Sequence, residues 1–226
     1  MKGRVSEMSN KAYKGIGMNG FIAKWYAKIT LKSFDEYVEL ASRIKSINSG
    51  KKDILEIAPG PGYLSIELRK NPDFAVTAID ISETFVEIGK NNAKDANVDV
   101  DFVVGNVSAM PFKDSQFDFI VCRAAFKNFS EPLKAINEIY RVLKPEGRAL
   151  IIDLRRDITD KEIIAEVDQL NLSGWDKMMT IWTFKHMLIK RAYSTAQMKH
   201  LCEESKFEKY NIENISTGFD LLLTKI

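Results

Sequence analysis

A chain of 226 residues, 45% hydrophobic and 28% charged, is long enough to bury its own core, so it requires neither a disulfide framework nor a structural metal. Its two cysteines, Cys122 and Cys202, suit a reducing compartment, and a cytoplasmic location is expected. A net charge of +2 is too small to argue for nucleic acid, and no apolar run approaches the ~20 residues that cross a bilayer, so no membrane partner is expected.

The opening Met1 to Asn10 is polar and lacks the apolar stretch of a signal peptide. Charge is uneven: Lys2, Arg4, Lys11, Lys14, Lys24, Lys28 and Lys32 stand before Ser33 against Glu7 alone. Residues 1–32 therefore read as a basic arm. It is either solvated or a lid over an anionic substrate or cofactor carboxylate, and no nucleic-acid motif accompanies it.

The remainder, 33–226, reads as one domain. Ser33-Phe-Asp-Glu36 is a capping box opening a helix to about Ile47. Asp53 to Ala58 is an apolar strand, Pro59 to Gly62 a turn, and a helix follows to about Lys70. Phe74 to Asp80 is the next strand, and Ser82 caps a helix to about Ala96. Val100 to Val104 and Phe117 to Cys122 are strands. Ser130-Glu-Pro132 opens a helix to near Lys144, and Ala149 to Asp153 is a fifth strand. Residues 155–191 break the alternation with two helices. Thr159-Asp-Lys-Glu162 caps the first, and the second, after Gly174, carries Trp175, Met178, Met179, Trp182, Phe184 and Met187. Ser194-Thr-Ala-Gln197 caps a helix to near Lys206. Tyr210 to Ile215 and Phe219 to Ile226 then form a hairpin around Thr217-Gly218. Uniformly apolar strands alternating with helices imply an α/β fold. Its doubly wound, mostly parallel seven-stranded sheet has helices on both faces and a C-terminal antiparallel hairpin.

Chemistry concentrates at Glu56-Ile-Ala-Pro-Gly60-Pro-Gly62, the carboxyl end of the first strand, where open α/β sheets bind ligands. Gly60 and Gly62 leave the backbone bare for close approach, and Pro59 and Pro61 stiffen the turn. Asp80, ending the second strand, can accept hydrogen bonds from a ribose diol or can cap the next helix, although Ser82 is better placed to cap. A dinucleotide fingerprint needs a third glycine, and Ser65 stands there instead. Glu56 would repel a pyrophosphate but attract an ammonium group.

These residues resemble the first motif of the class I, Rossmann-like, S-adenosylmethionine-dependent methyltransferases of small-molecule type. Ala78-Ile-Asp80-Ile-Ser, Gly105-Asn-Val-Ser-Ala-Met-Pro111-Phe112, Phe117 to Arg123 and Glu138 to Gly147 resemble the motifs that follow in that family. The resemblance implies S-adenosyl-L-methionine as cofactor, S-adenosyl-L-homocysteine as product and an unidentified small-molecule methyl acceptor. It implies that Glu56 holds the cofactor's amino group and that the backbone from Ala58 through Pro59 and Gly60 to Gly62 lines its methionine part. Asp80 would take the ribose hydroxyls and Ile81 would pack on the adenine. Asn106 and the Val107 N–H would read the adenine edge, and Arg123 would lie beside the methionine end. Three positions depart from the pattern: Ala58 for the first glycine, Asn106 for an aspartate, and Lys127-Asn128 where many relatives have a histidine pair.

No base motif and no metal cluster is visible, so the catalytic residues stay open. His186 and His200 are the only histidines, and Tyr13, Tyr26 and Tyr193 could each lend a hydroxyl. Arg155-Arg156 follows the fifth strand as an anion site or a solvated turn. The Trp/Met-rich helix reads as core-facing or as a substrate pocket, and 155–191 as a substrate cap. A non-catalytic adenosylmethionine-binding protein and an NAD-dependent oxidoreductase are the alternatives. The first shares every cofactor motif; the second needs the missing glycine.

Overall fold

Five strands, β1 (Lys52–Ile57), β2 (Phe74–Asp80), β3 (Asp101–Val104), β4 (Phe117–Arg123) and β5 (Leu143–Leu154), run parallel. The hairpin of β6 (Lys209–Ile215) and β7 (Gly218–Thr224) completes one sheet in the order β3-β2-β1-β4-β5-β7-β6. β7 lies antiparallel against β5. The computed structural model describes residues 13–14, 20–31, 34–50, 52–169 and 172–226. Met1 to Asn10, Lys11, Lys32, the Ser33 cap and the side chains of Trp25 and Met187 lie outside that set.

Eight α-helices are described: α1 (Gly20–Thr30), α2 (Phe34–Ile47), α3 (Tyr63–Arg69), α4 (Glu83–Asp95), α5 (Pro132–Val142), α6 (Asp160–Gln169), α7 (Gly174–Thr183) and α8 (Thr195–Glu203). Successive strand residues point to opposite faces, and both faces are apolar, so each needs a helical layer. Ile54, Phe119 and Leu150 pack against Ile44 of α2, Leu64 of α3 and Val86 of α4. Leu55, Ile120 and Ile151 pack against Ile136 of α5 and Met198 of α8. Strand order reverses between β1 and β4, so their carboxyl ends open onto the topological switch point.

The caps anticipated at Ser82, Thr159 and Ser194 form. Ser82 accepts from the Phe85 N–H at 3.3 Å, and Ser194 and Gln197 make a capping box. The Glu162 carboxylate takes the Thr159 N–H at 2.8 Å. Two elements differ from expectation. β5 starts at Leu143 rather than Ala149, because Leu143 already pairs with Phe117 before the chain turns at Glu146, which has φ 64°. Helix α1 was not anticipated: its first turn has no acid and it opens on Gly20 with φ 56°. The Trp/Met-rich α7 is not a core helix. It buries no residue, because Ile181 and the following Phe184 and Ile189 alone turn inward onto Ile158, Ile163 and Val167.

Candidate cofactor and acceptor site

The turn after β1 takes three left-handed residues within five positions: Ala58 (φ 55°), Gly60 (φ 54°) and Gly62 (φ 81°). A side chain at Gly62 would place its Cβ 2.7 Å from the Phe102 ring, so glycine is required there for space as well as for conformation. Ala58 adopts the conformation glycine takes freely, at a cost of about 1–2 kcal/mol. Its N–H is held by the Ile79 carbonyl at 2.8 Å, which keeps this strained residue in line with β2.

Two buried acids flank this turn. The Asp80 carboxylate accepts from the Gly60 N–H at 3.3 Å and the Ser82 N–H at 2.8 Å, so it braces the turn while Ser82 caps α4. Burial pushes its pKa up to about 6, against the pull of these N–H donors. A carboxylate offers about four acceptor positions, so accepting two N–H groups leaves Asp80 able to take a diol. Glu56 is wholly buried and accepts from the Ser65 hydroxyl. Burial pushes it up to about 7, with Ser65 and Arg123 opposing. Ser65 occupies the place of the missing third glycine, and its hydroxyl serves Glu56.

A consequence for stability follows from Glu56. Its folded pKa lies above the ordinary 4.5, so the folded state keeps a proton that the unfolded chain gives up. Stability from this group is present at low pH and is lost as pH rises from about 4.5 to about 7, by roughly 3 kcal/mol at most. Glu56→Gln is expected to raise the urea-unfolding free energy at pH 8, with the gain shrinking towards pH 5. An equal gain at both pH values would contradict this assignment.

The other named residues occupy two rims. Asn106 is half-buried beyond β3, and its side-chain oxygen accepts from the Ser108 N–H at 2.9 Å. The Val107 side chain is buried with Ile79 and Met110, so only its backbone is on offer. Ile81 is half-buried after β2. Arg123, ending β4, pairs with Glu36 of α2 and lies over the Tyr37 ring at 4.6 Å. The sequence showed Glu36 only as part of a cap and Ser65 only as the absent third glycine, and Tyr37 was not singled out; Glu36 and Tyr37 act on Arg123, far along the chain.

At the ends of β4 and β5, Lys127 Nζ sits 2.7 Å from Asp153 and 2.7 Å from the Ala124 carbonyl. The Lys127 N–H also donates to Asp153, at 2.8 Å, and the Asp153 side chain is only 1% exposed. A lysine paired with a buried carboxylate therefore stands at the position where the family resemblance would have placed a histidine pair. The sequence hint for its partner was an acid at the end of a strand.

The arm reaches the same place. Tyr26 of α1 lies against the Gly60 turn and meets Phe85 edge-on at 5.9 Å. Burial raises its hydroxyl pKa, and the charges of Asp153 and Asp80 add to the rise while Arg123 opposes it. Tyr63 donates to the Ala27 carbonyl at 3.1 Å. Tyr13 bridges to Phe129, and Lys14 reaches the Tyr193 hydroxyl at 3.1 Å. Burial likewise raises the Tyr13 hydroxyl, with Arg191 opposing. Other candidates stand elsewhere. His200 is exposed beside Glu204, and His186 is exposed against the Trp182 ring. Arg155 is neither anion site nor solvated turn: it is buried and tied to Asp157, Glu162 and the Ser216 carbonyl. Among the described residues no cluster of metal-ligand type forms.

Fold and site together define a Rossmann-like enzyme with an acid-flanked glycine turn at its switch point. Comparisons with known proteins agree. A family model described as a methyltransferase domain matches residues 55–151. Demethylmenaquinone methyltransferase of Thermotoga maritima is 28% identical over 208 residues, covering 92% of this chain and 83% of that protein. A ubiquinone/menaquinone biosynthesis C-methyltransferase of a Marinomonas strain is 26% identical, covering 73% and 70%. Against Listeria relatives named as demethylmenaquinone methyltransferases, the aligned part spans about half their length (53%). The crystal structure of a protein assigned as an S-adenosyl-L-methionine-dependent methyltransferase from Methanococcus maripaludis superposes with a TM-score of 0.74 at 26% identity, covering 93% of this chain and 95% of that one. The chain carries a methyltransferase domain over residues 55–151 and acts as an S-adenosylmethionine-dependent methyltransferase, with S-adenosylmethionine as methyl donor and S-adenosylhomocysteine as product. Among the described residues no helix is long and apolar enough to cross a membrane.

Proposed function

We propose that this enzyme methylates a small hydroxylated aromatic acceptor of quinol type, with no nucleic-acid partner. The observation that carries this reading is the Lys127–Asp153 pair at the ends of β4 and β5, on the same edge of the sheet as the glycine turn against which Tyr26 lies. The quinone names of the relatives support it.

Bound S-adenosylmethionine supplies a methyl group on a cationic sulfur, open to in-line attack. Glu56, with Ser65 behind it, would receive the amino group, and Asp80 the ribose hydroxyls. The backbone from Ala58 through Pro59 to Gly62 would line the methionine part, with Arg123 at its end, fixed by Glu36 and Tyr37. Ile81, Asn106 and the Val107 N–H would take the adenine. Lys127 has two of its three donors on Asp153 and the Ala124 carbonyl, and the third would meet an acceptor hydroxyl and favour its ionised form. The hydroxyl proton goes to water, and electron density moves to the neighbouring ring carbon. A carbon–carbon bond forms there as the sulfur–methyl bond breaks, and that carbon then releases its own hydrogen as a proton. Residues 1–32 would act as a lid through Tyr13, Lys14 and Tyr26. Of the segment 155–191, only the Ile189–Arg191 turn beside Tyr193 would close over the acceptor with them and keep water out.

Turnover of radiolabelled S-adenosylmethionine with a water-soluble, short-chain naphthohydroquinone tests this reading. Label on a ring carbon is expected, with NAD in excess having no effect. Tight cofactor binding without transfer to any hydroxylated arene would overturn it.

A further inference from the structure

Helix α7 carries aromatic and thioether side chains that its own fold does not use. Trp175, Met178, Met179 and Trp182 fall at helical positions i, i+3, i+4 and i+7, which is one stripe. Trp175 is 69% exposed, Met178 53% and Trp182 50%. The inward contact of the helix is already made by Ile181, which flanks the stripe and packs on the small core of Ile163 and Val167, so the stripe is not displaced core. A contiguous apolar patch of this kind marks an interaction surface.

Chemistry selects among occupants. Tryptophan is the residue of membrane–water interfaces, with an apolar ring and one polar N–H. Residues 172–191 carry Lys177, Lys185, Lys190 and Arg191 against Asp176 alone, and the 1–32 arm adds seven cations against one acid. Lys177 and Lys185 are partly neutralised by Asp168 at 2.5 Å and Asp160 at 2.8 Å, whereas Lys190 stands exposed beside Leu188. A second copy meeting this face across a two-fold axis would set these cations against themselves. An anionic bilayer would neutralise them while taking up the indole rings.

We propose that the Trp175–Trp182 face of α7 seats the protein on the surface of an anionic phospholipid bilayer, lying on it rather than crossing it. This departs from the expectation of no membrane partner drawn from composition, because composition reports spans and not interfacial stripes. Seating rests on the surface alone. Its use, to meet an acceptor dissolved in lipid, rests on the acceptor reading above.

The test is co-sedimentation of the full chain with phosphatidylcholine vesicles containing roughly a third phosphatidylglycerol, compared with phosphatidylcholine alone. The wild type is expected to partition onto the anionic vesicles, less so as salt rises. The double variant Trp175→Ser, Trp182→Ser should lose at least about tenfold in partitioning. Both rings lie outside the core, so the variant should keep its thermal midpoint and its turnover on the water-soluble acceptor. That last measurement separates failure of the surface from failure of the acceptor reading. Absence of wild-type binding to anionic vesicles, or equal binding by the variant, would overturn the proposal. So would a wild-type dimer, seen by light scattering, that the variant dissolves.

Discussion

Replacing Asp80 by alanine is expected to weaken S-adenosylmethionine binding by about 2–4 kcal/mol, a factor of roughly 30 to 1,000. Two effects add. The variant loses the acceptor of two ribose hydroxyls, and it loses the brace that holds the Gly60 N–H and with it the left-handed turn. The fold should persist, because the Ser82 hydroxyl still caps α4 and the Gly105 N–H still meets the residue-80 carbonyl at 2.9 Å. Wild-type affinity should also fall as pH drops below about 6, where the Asp80 carboxylate takes up its proton and stops accepting at both oxygens. Calorimetry on the folded variant decides the matter. An unchanged dissociation constant would remove Asp80 from the site.

Lys127→Met is expected to cost about 3–5 kcal/mol of stability, since it leaves the Asp153 carboxylate buried without its cation. The backbone N–H groups of residues 127 and 154 still donate to Asp153, so the lower end of that range applies. Adding Asp153→Asn should restore most of the loss, because the charge that lacked a partner is then gone. Turnover should not return with it if Lys127 meets the acceptor hydroxyl, which separates its structural from its chemical part. Urea unfolding of the two variants gives the numbers. A loss under about 1 kcal/mol in the single variant would show that Asp153 does not need the ammonium.

The sheet was legible because its strands are apolar runs closed by strong local punctuation: Gly60 and Gly62, Asn71-Pro72, and the Ser82 and Ser194 caps. Glu56 and Asp80 could be read because an acid ending or interrupting a buried strand is conspicuous. Asn106, Val107 and Ile81 rest on family resemblance, for nothing local distinguishes them. What escaped was non-local. Arg123 and Glu36 lie 87 positions apart, and Lys127 and Asp153 lie 26 apart, so no window of sequence joins them. Helix α1 was hidden by its composition: its lysines drew attention to charge, and Gly20 gave no start signal. Arg155 was misread because a residue just past a strand looks solvated until Glu162 and Ser216 close around it.

The placement of β1 sets an order on how this chain can be completed during synthesis. β1 takes β2 on one edge and β4 on the other, and the Asp53 N–H donates to Asp118, 65 residues later. A nascent chain that ends before Phe117 therefore holds an apolar strand with one edge open, a template for pairing with other chains. Glu56 and Asp80 are already translated at that stage, but Arg123 and its clasp on α2 are not. With Arg123 at the methionine end, as proposed above, the donor site would be finished only when β4 leaves the ribosome, and bound cofactor would not shield the half-made sheet before then.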